Sequence, residues 1–143
     1  VADILAQVVY TDICLEVFIA PVEGRREYIN FEINPNGAYL SQFGAERNGR
    51  VFIKELTAET PRVSAGVYPD TKGWHAELFI PESLISALYG CEFSVKDGEI
   101  RGNFYKCADD SPTPHYGALF PVGSASLGFH NPEKFGTIKI IKR

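Results

Sequence analysis

The sequence predicts an all-β protein: an antiparallel β-sandwich of the immunoglobulin or jelly-roll kind, with one short helix. Three observations lead there. Short runs of alternating apolar and polar residues recur along the chain, from "DICLEVFIAP" to "GTIKIIKR". Turn-forming Gly, Pro, Asn and Asp separate these runs. Only "PESLISALYG" carries helical spacing, whereas a doubly wound α/β fold needs repeated crossover helices.

In "DICLEVFIAP", Ile13, Leu15, Val17 and Ile19 point one way, and Asp12, Cys14, Glu16 and Phe18 point the other. "VEGRRE" follows as a polar turn. "YINFEINPNG" then sets Ile29, Phe31 and Ile33 against Tyr28, Asn30, Glu32 and Asn34, so the two runs read as a hairpin. "AYLSQF" and "VFIKEL" are strand candidates flanking "GAERNGR". "RVSAGVY" and "WHAELFIP" form a second hairpin around "PDTKG". The helix spans about residues 81 to 89: Pro81 suits its first turn, Leu84, Ile85 and Leu88 share a face, and Gly90 suits its stop. "EIRGNFYKCA" and "GTIKIIKR" are the remaining strands. The long loop between them is rich in Pro, Gly, Ser and aromatics, and a loop of that length in a small domain usually has a function. Alternation on most strands predicts that each sheet has one face in the core and one face in water.

The chain has 143 residues, and residues 1–143 read as a single domain. Its net charge is −4, and its Lys and Arg are scattered apart from "GRR" and "KIIKR". Nucleic-acid binding, which needs a basic stripe, is not expected. No apolar run is long enough to span a membrane as a helix. Cys14, Cys91 and Cys107 are an odd, widely spaced set that makes a poor disulfide framework. One bridge plus a thiol and three reduced thiols both stay open. No localisation follows, and periplasmic, secreted and cytoplasmic sites are all open.

Familiar catalytic patterns are missing. There is no G-x-S-x-G elbow, no P-loop and no zincin spacing among His75, His115 and His130. Asp109-Asp110 is an acidic pair in the long loop, read either as a solvated turn or as a calcium ligand pair without EF-hand spacing. Glu16 and Glu32 lie on paired strands. They are the one carboxylate pair with any geometric claim to glycosidase chemistry.

Several stretches in order carry a resemblance: "DICLEVFIAP", "YINFEINPNG", "GWHAELFIP", "GNFYKCADDSPTPHYG" and "FHNPEKFGTIKI". Together they resemble the family 9 carbohydrate-binding module-like domains, a branch of the DOMON-type β-sandwiches, from roughly residue 12 to the end. The resemblance implies two antiparallel sheets with a sugar site on one face and its loops. Some members carry structural calcium, and related DOMON domains bind heme. In the sugar-binding members two Trp rings clamp the ligand, and the second lies just before the closing Asx-Pro…Phe-Gly motif. Phe129 occupies that position here. Arg62 matches an Arg that hydrogen-bonds the sugar, and Tyr28, Asn30 and Glu32 match the polar site face. The chain departs from the pattern in having one Trp, and Trp74 falls on a core strand position. Tyr28 or another aromatic then has to supply the second wall. Domains of this kind begin with further strands, so the expectation is that N-terminal strands are missing ahead of Asp12.

The residue types suit the chemistry. A pyranose offers an apolar CH face to an aromatic ring and a rim of hydroxyls to amides, carboxylates and guanidinium. The expected carbohydrate-binding residues are Tyr28, Asn30, Glu32, Arg62, Asn103, Phe129 and His130, with no catalytic or metal-binding residue. Phe129 is read as a ligand platform and Phe135 as a core plug. Asn103 and Tyr105 either face the site or support the long loop, and His130 reads as a loop hydrogen-bonder. The function expected is a non-catalytic carbohydrate-binding domain associated with glycan catabolism and glycan-degrading enzymes. It has a saccharide ligand and no cofactor beyond an optional structural calcium. Alternatives are a glycoside hydrolase, or a DOMON-type domain that binds heme or another small ligand. Heme is disfavoured by the lack of Met and the scattered His residues.

Overall fold

The computed structural model describes residues 13–95, 98–123 and 127–141. The N-terminal segment with Asp12, and residues 124–126 of "GSASLG", lie outside the described residues. Among the described residues, nine strands form two antiparallel sheets. In chain order they are β1 (Ile13–Ala20), β2 (Tyr28–Ile33), β3 (Tyr39–Gly44), β4 (Val51–Phe52), β5 (Arg62–Val67), β6 (Trp74–Phe79), β7 (Glu99–Ala108), β8 (His115–Ala118) and β9 (Gly136–Lys139). The large sheet runs β4-β3-β2-β1-β7-β8, and β9 pairs with the other half of β7. The β5–β6 hairpin is the second sheet. The all-β sandwich expectation therefore holds.

Local chemistry explains most of the boundaries. The helix α2 (Glu82–Tyr89) starts after Pro81 and stops at Gly90, whose φ of 64° is the left-handed conformation that glycine adopts without penalty. "VFIKEL" is corrected. Only Val51 and Phe52 pair as a strand, and Ile53–Leu56 closes one helical turn, α1, through the Thr57 N–H to the Ile53 carbonyl at 3.1 Å. That turn drops Ile53 into the core at 3% exposure. The long loop is corrected too, because its "HYGA" stretch pairs with β7 as β8.

The apolar face of β1 and β2 packs against α2 and the small sheet. Ile19, Ile29, Phe31, Leu84, Ile85 and Tyr89 form the centre of this core, and each large side chain so buried contributes roughly 1.5–3 kcal/mol. The opposite face was expected to be wet, but it is buried as well. All six residues of β2 are buried, because the long loop after β7 folds back over this face. A second cluster of Phe18, Tyr28, Tyr105 and Phe135 fills one end of the space beneath the loop.

Side chains on β7 and the loop's own turn hold it there. The Asn103 amide donates to the Phe120 carbonyl and accepts from the Phe120 N–H, both at 3.0 Å. The Arg101 guanidinium donates to the Pro132 and Phe135 carbonyls, and the Asn131 amide to the Val122 carbonyl. The Phe120 ring lies so close to Gly136 that a Cβ there would meet it at 2.5 Å. Only glycine fits under that ring. Pro132–Lys134 form a 3-10 turn before Phe135, which is 6% exposed. Phe135 is therefore a core plug, as expected.

Candidate functional site

Between the loop and the polar face of the large sheet lies a cavity of about 830 Å³. Its floor is built by strand parity. Glu16 on β1 stands directly opposite Glu32 on β2, and Asn30 on β2 opposite Gln42 on β3. Glu16, Glu32 and Gln42 reach the cavity, as does Cys107 from β7. Its wall and rim come from Arg47, Asp109, Tyr116, Phe129 and His130.

Phe129 lines the cavity with one ring face laid on Tyr105, at 4.1 Å between centroids and 13° between planes. The Tyr105 hydroxyl donates to the Phe129 carbonyl at 3.1 Å, so ring and backbone are fixed together. Tyr116 stands edge-on to Phe129 at 6.5 Å and is 60% exposed at the rim. Its hydroxyl bonds to the Asp109 carboxylate. An aromatic plate fixed from behind, with a second aromatic beside it, is well made for the apolar face of a ring ligand.

Beneath the floor, Arg50 is the organising residue. Its Nε donates to the Asn30 Oδ1 at 2.9 Å, and its other nitrogens donate to the Tyr28, Gln42, Gly44 and Glu46 carbonyls. Its guanidinium lies 3.9 Å from the Tyr28 ring centroid. The Asn30 Nδ2 in turn donates to the Glu32 carboxylate at 3.1 Å. Arg50 thus orients Glu32 through a fully buried amide. The Tyr28 hydroxyl is 2.8 Å from the His130 Nδ1, which fixes the imidazole at the cavity wall.

Burial sets the protonation states. Loss of solvation, and then the neighbouring Glu32 carboxylate, push Glu16 well above the usual carboxylate range. Burial raises Glu32 too, while its bond from Asn30 opposes the rise. Burial, and then the Arg50 and Arg47 charges, hold His130 down at about 4, so it is neutral at pH 7. The cavity therefore presents the protonated Glu16 carboxyl, the Glu32 carboxyl group and a neutral imidazole, groups that between them donate to and accept from hydroxyls.

The seven expected site residues separate into three groups. Glu32, Phe129 and His130 line the cavity. Tyr28 and Asn30 share their face but lie wholly buried beneath it, as supports. Arg62 and Asn103 are placed elsewhere. Arg62 is on the outer face of the β5–β6 hairpin, 4.1 Å from the Phe79 ring centroid, because alternation along β5 turns it away from the large sheet. Asn103 has both ends of its amide engaged in holding the loop, the supporting option of its two readings. Trp74 is half-buried on β6 and is not part of the cavity lining, to which Phe52 and Tyr116 contribute aromatic rings besides Phe129. Sequence reasoning raised Glu16 only as the partner of Glu32 in a glycosidase pair, and passed over Gln42, Arg47 and Arg50 as site or support residues. The parity of Glu16 and Gln42 with Glu32 and Asn30 was the available signal. Arg47 and Arg50 sit in a turn, where spacing says nothing of direction.

Comparison with known proteins gives a consistent picture. The sequence profile described as carbohydrate-binding family 9 matches residues 2–140. A crystal structure from Bacteroides uniformis, of a protein to which carbohydrate binding is ascribed, superposes with a TM-score of 0.70 at 32% sequence identity. The match covers 93% of this chain and 63% of that one. No curated protein sequence matches the chain.

Proposed function

The chain belongs to carbohydrate-binding family 9, and from that premise we propose that its saccharide ligand occupies the cavity between the large sheet and the long loop. The observation that carries this reading is the pairing of a plate with a polar rim. Phe129, backed by Tyr105, offers a flat apolar surface, and Glu16, Glu32, Gln42, Arg47 and His130 face the same space. A pyranose needs this combination: one face against carbon, and hydroxyls to amide, acid and guanidinium. A volume of about 830 Å³ falls within the range of small-ligand sites.

The reading is of a binding module that acts beside glycan-degrading enzymes. Glu16 and Glu32 rise side by side from one floor, whereas glycosidic cleavage needs an acid and a base or nucleophile flanking the bond. A glycan-array screen of the purified domain, with and without calcium, is the first test. Retention of one glycan class at the array supports the reading, and uniform absence of retention in both conditions contradicts it. Release of reducing sugar by clean protein, abolished by Glu32→Gln, would instead establish a hydrolase.

A further inference from the structure

The strand pairing brings Cys14, Glu16 and Cys107 together at the cavity floor. One ligating atom of each lies within 4.8 Å of the others, and all three residues are buried. Cys14 and Cys107 are direct cross-strand partners on β1 and β7, and Glu16 follows Cys14 on the same face. Glu16, Cys107 and Asp109 line the cavity, so the cluster is reachable from it. The Cys14 Sγ lies 3.5 Å from the Glu16 Oε1, and the Cys107 Sγ lies 3.2 Å from the Asp109 Oδ2. Each thiol therefore points its S–H at a carboxyl oxygen already in place.

We propose that this cluster binds a thiophilic divalent cation of the zinc class, held by the Cys14 and Cys107 sulfurs and the Glu16 carboxylate, with Asp109 or cavity water as the fourth ligand. Two sulfurs with one or two carboxylate oxygens are the donor set of zinc rather than of calcium or magnesium, which take oxygen alone. Tetrahedral zinc with bonds of about 2.0–2.3 Å places its ligand atoms roughly 3.3–3.8 Å apart. Separations within 4.8 Å thus need only a small side-chain contraction. Binding releases the two thiol protons and the Glu16 carboxyl proton to solvent, and exchanges each S–H···O contact for a metal–sulfur bond. Because the three ligands sit on two paired strands, the site is pre-arranged by the sheet.

The test uses reduced protein in a Cys91→Ser background, which removes the exposed third thiol, and needs no sugar. Cobalt(II) serves as the spectroscopic probe and zinc as its competitor. The expected result is one cobalt per chain, with a near-ultraviolet sulfur-to-cobalt band and tetrahedral visible bands that zinc bleaches. Cys107→Ser should halve the sulfur band and weaken binding by about 100-fold or more, since loss of even an outer partner costs 10–100-fold. Glu16→Gln should weaken binding while leaving the sulfur band in place, which keeps the test decisive if Cys14→Ser fails to fold. Absence of a sulfur-to-cobalt band in folded, reduced protein overturns the proposal. So does a band that survives Cys107→Ser unchanged, or a pair of thiols found only as a Cys14–Cys107 disulfide that reductant cannot open.

Discussion

Truncating two phenylalanines six residues apart in sequence should have unequal consequences for stability. Phe135 is 6% exposed and meets the Tyr28 ring edge-to-face at 5.5 Å and the Phe18 ring at 6.4 Å. Phe135→Ala removes a buried ring from a packed cluster, and such changes cost about 3–5 kcal/mol. For a chain of this length that lowers the melting temperature by roughly 10 °C or more. Phe129 is partly buried on the cavity wall, with one face on Tyr105. Phe129→Ala forfeits the stack, about 0.5–1.5 kcal/mol, and a part of its burial, for a total near 2 kcal/mol at most. Thermal unfolding of both variants alongside the parent measures the difference. Equal losses would refute the reasoning, because they would make Phe129 a core residue and leave the cavity without a spare plate.

Further outcomes follow from the supports and the titrating groups. Arg50→Ala should destabilise the fold by about 3 kcal/mol, since charged hydrogen bonds to several carbonyls are lost together. Arg50→Lys should restore little of this in chemical denaturation, because a point charge cannot reproduce the guanidinium fork. His130 is held at about 4 in the fold against 6.5 for the free side chain. The unfolded chain thus binds the extra proton between those values. Its contribution is fully present above pH 6.5 and is lost as pH falls toward about 4, to the extent of about 2 kcal/mol after allowing for its partial exposure. His130→Gln should flatten that part of the stability–pH curve. Glu16 and Glu32, raised by burial, act in the opposite sense in both proteins and cancel in the comparison. Brief treatment with iodoacetamide should add a single adduct by mass, at the exposed Cys91, because Cys14 and Cys107 are buried.

Strand content was legible because period-2 alternation and turn residues are local signals. "EIRGNFYKCA" is β7 from end to end, and the helix around Leu84, Ile85 and Leu88 falls within a residue of its expected span. The polar face of β1 and β2 was legible as a face but not as a buried one. Nothing local to Tyr28 or Asn30 announces that a loop more than seventy residues downstream will cover them, nor that Arg50 will fill their hydrogen-bond needs. "VFIKEL" alternates well enough to pass for a strand, and the turn at Ile53 is imposed by the core it enters. Arg62 was assigned by resemblance alone. Its true neighbour, Phe79, is its cross-strand partner in a hairpin that faces away from the cavity. The thiol–carboxylate cluster was invisible in sequence because its members meet only through the β1–β7 register.

The most direct measurement is a calorimetric titration of the best array sugar into the parent, Phe129→Ala, Gln42→Ala and Arg62→Ala. If the ligand lies in the cavity, Phe129→Ala weakens binding by about tenfold or more, equivalent to roughly 1.4 kcal/mol. Gln42→Ala weakens it by about threefold to tenfold, the worth of one hydrogen bond. Arg62→Ala, on the far sheet, leaves it unchanged. Parent-like affinity in Phe129→Ala together with lost affinity in Arg62→Ala would move the site to the β5–β6 face and contradict the account.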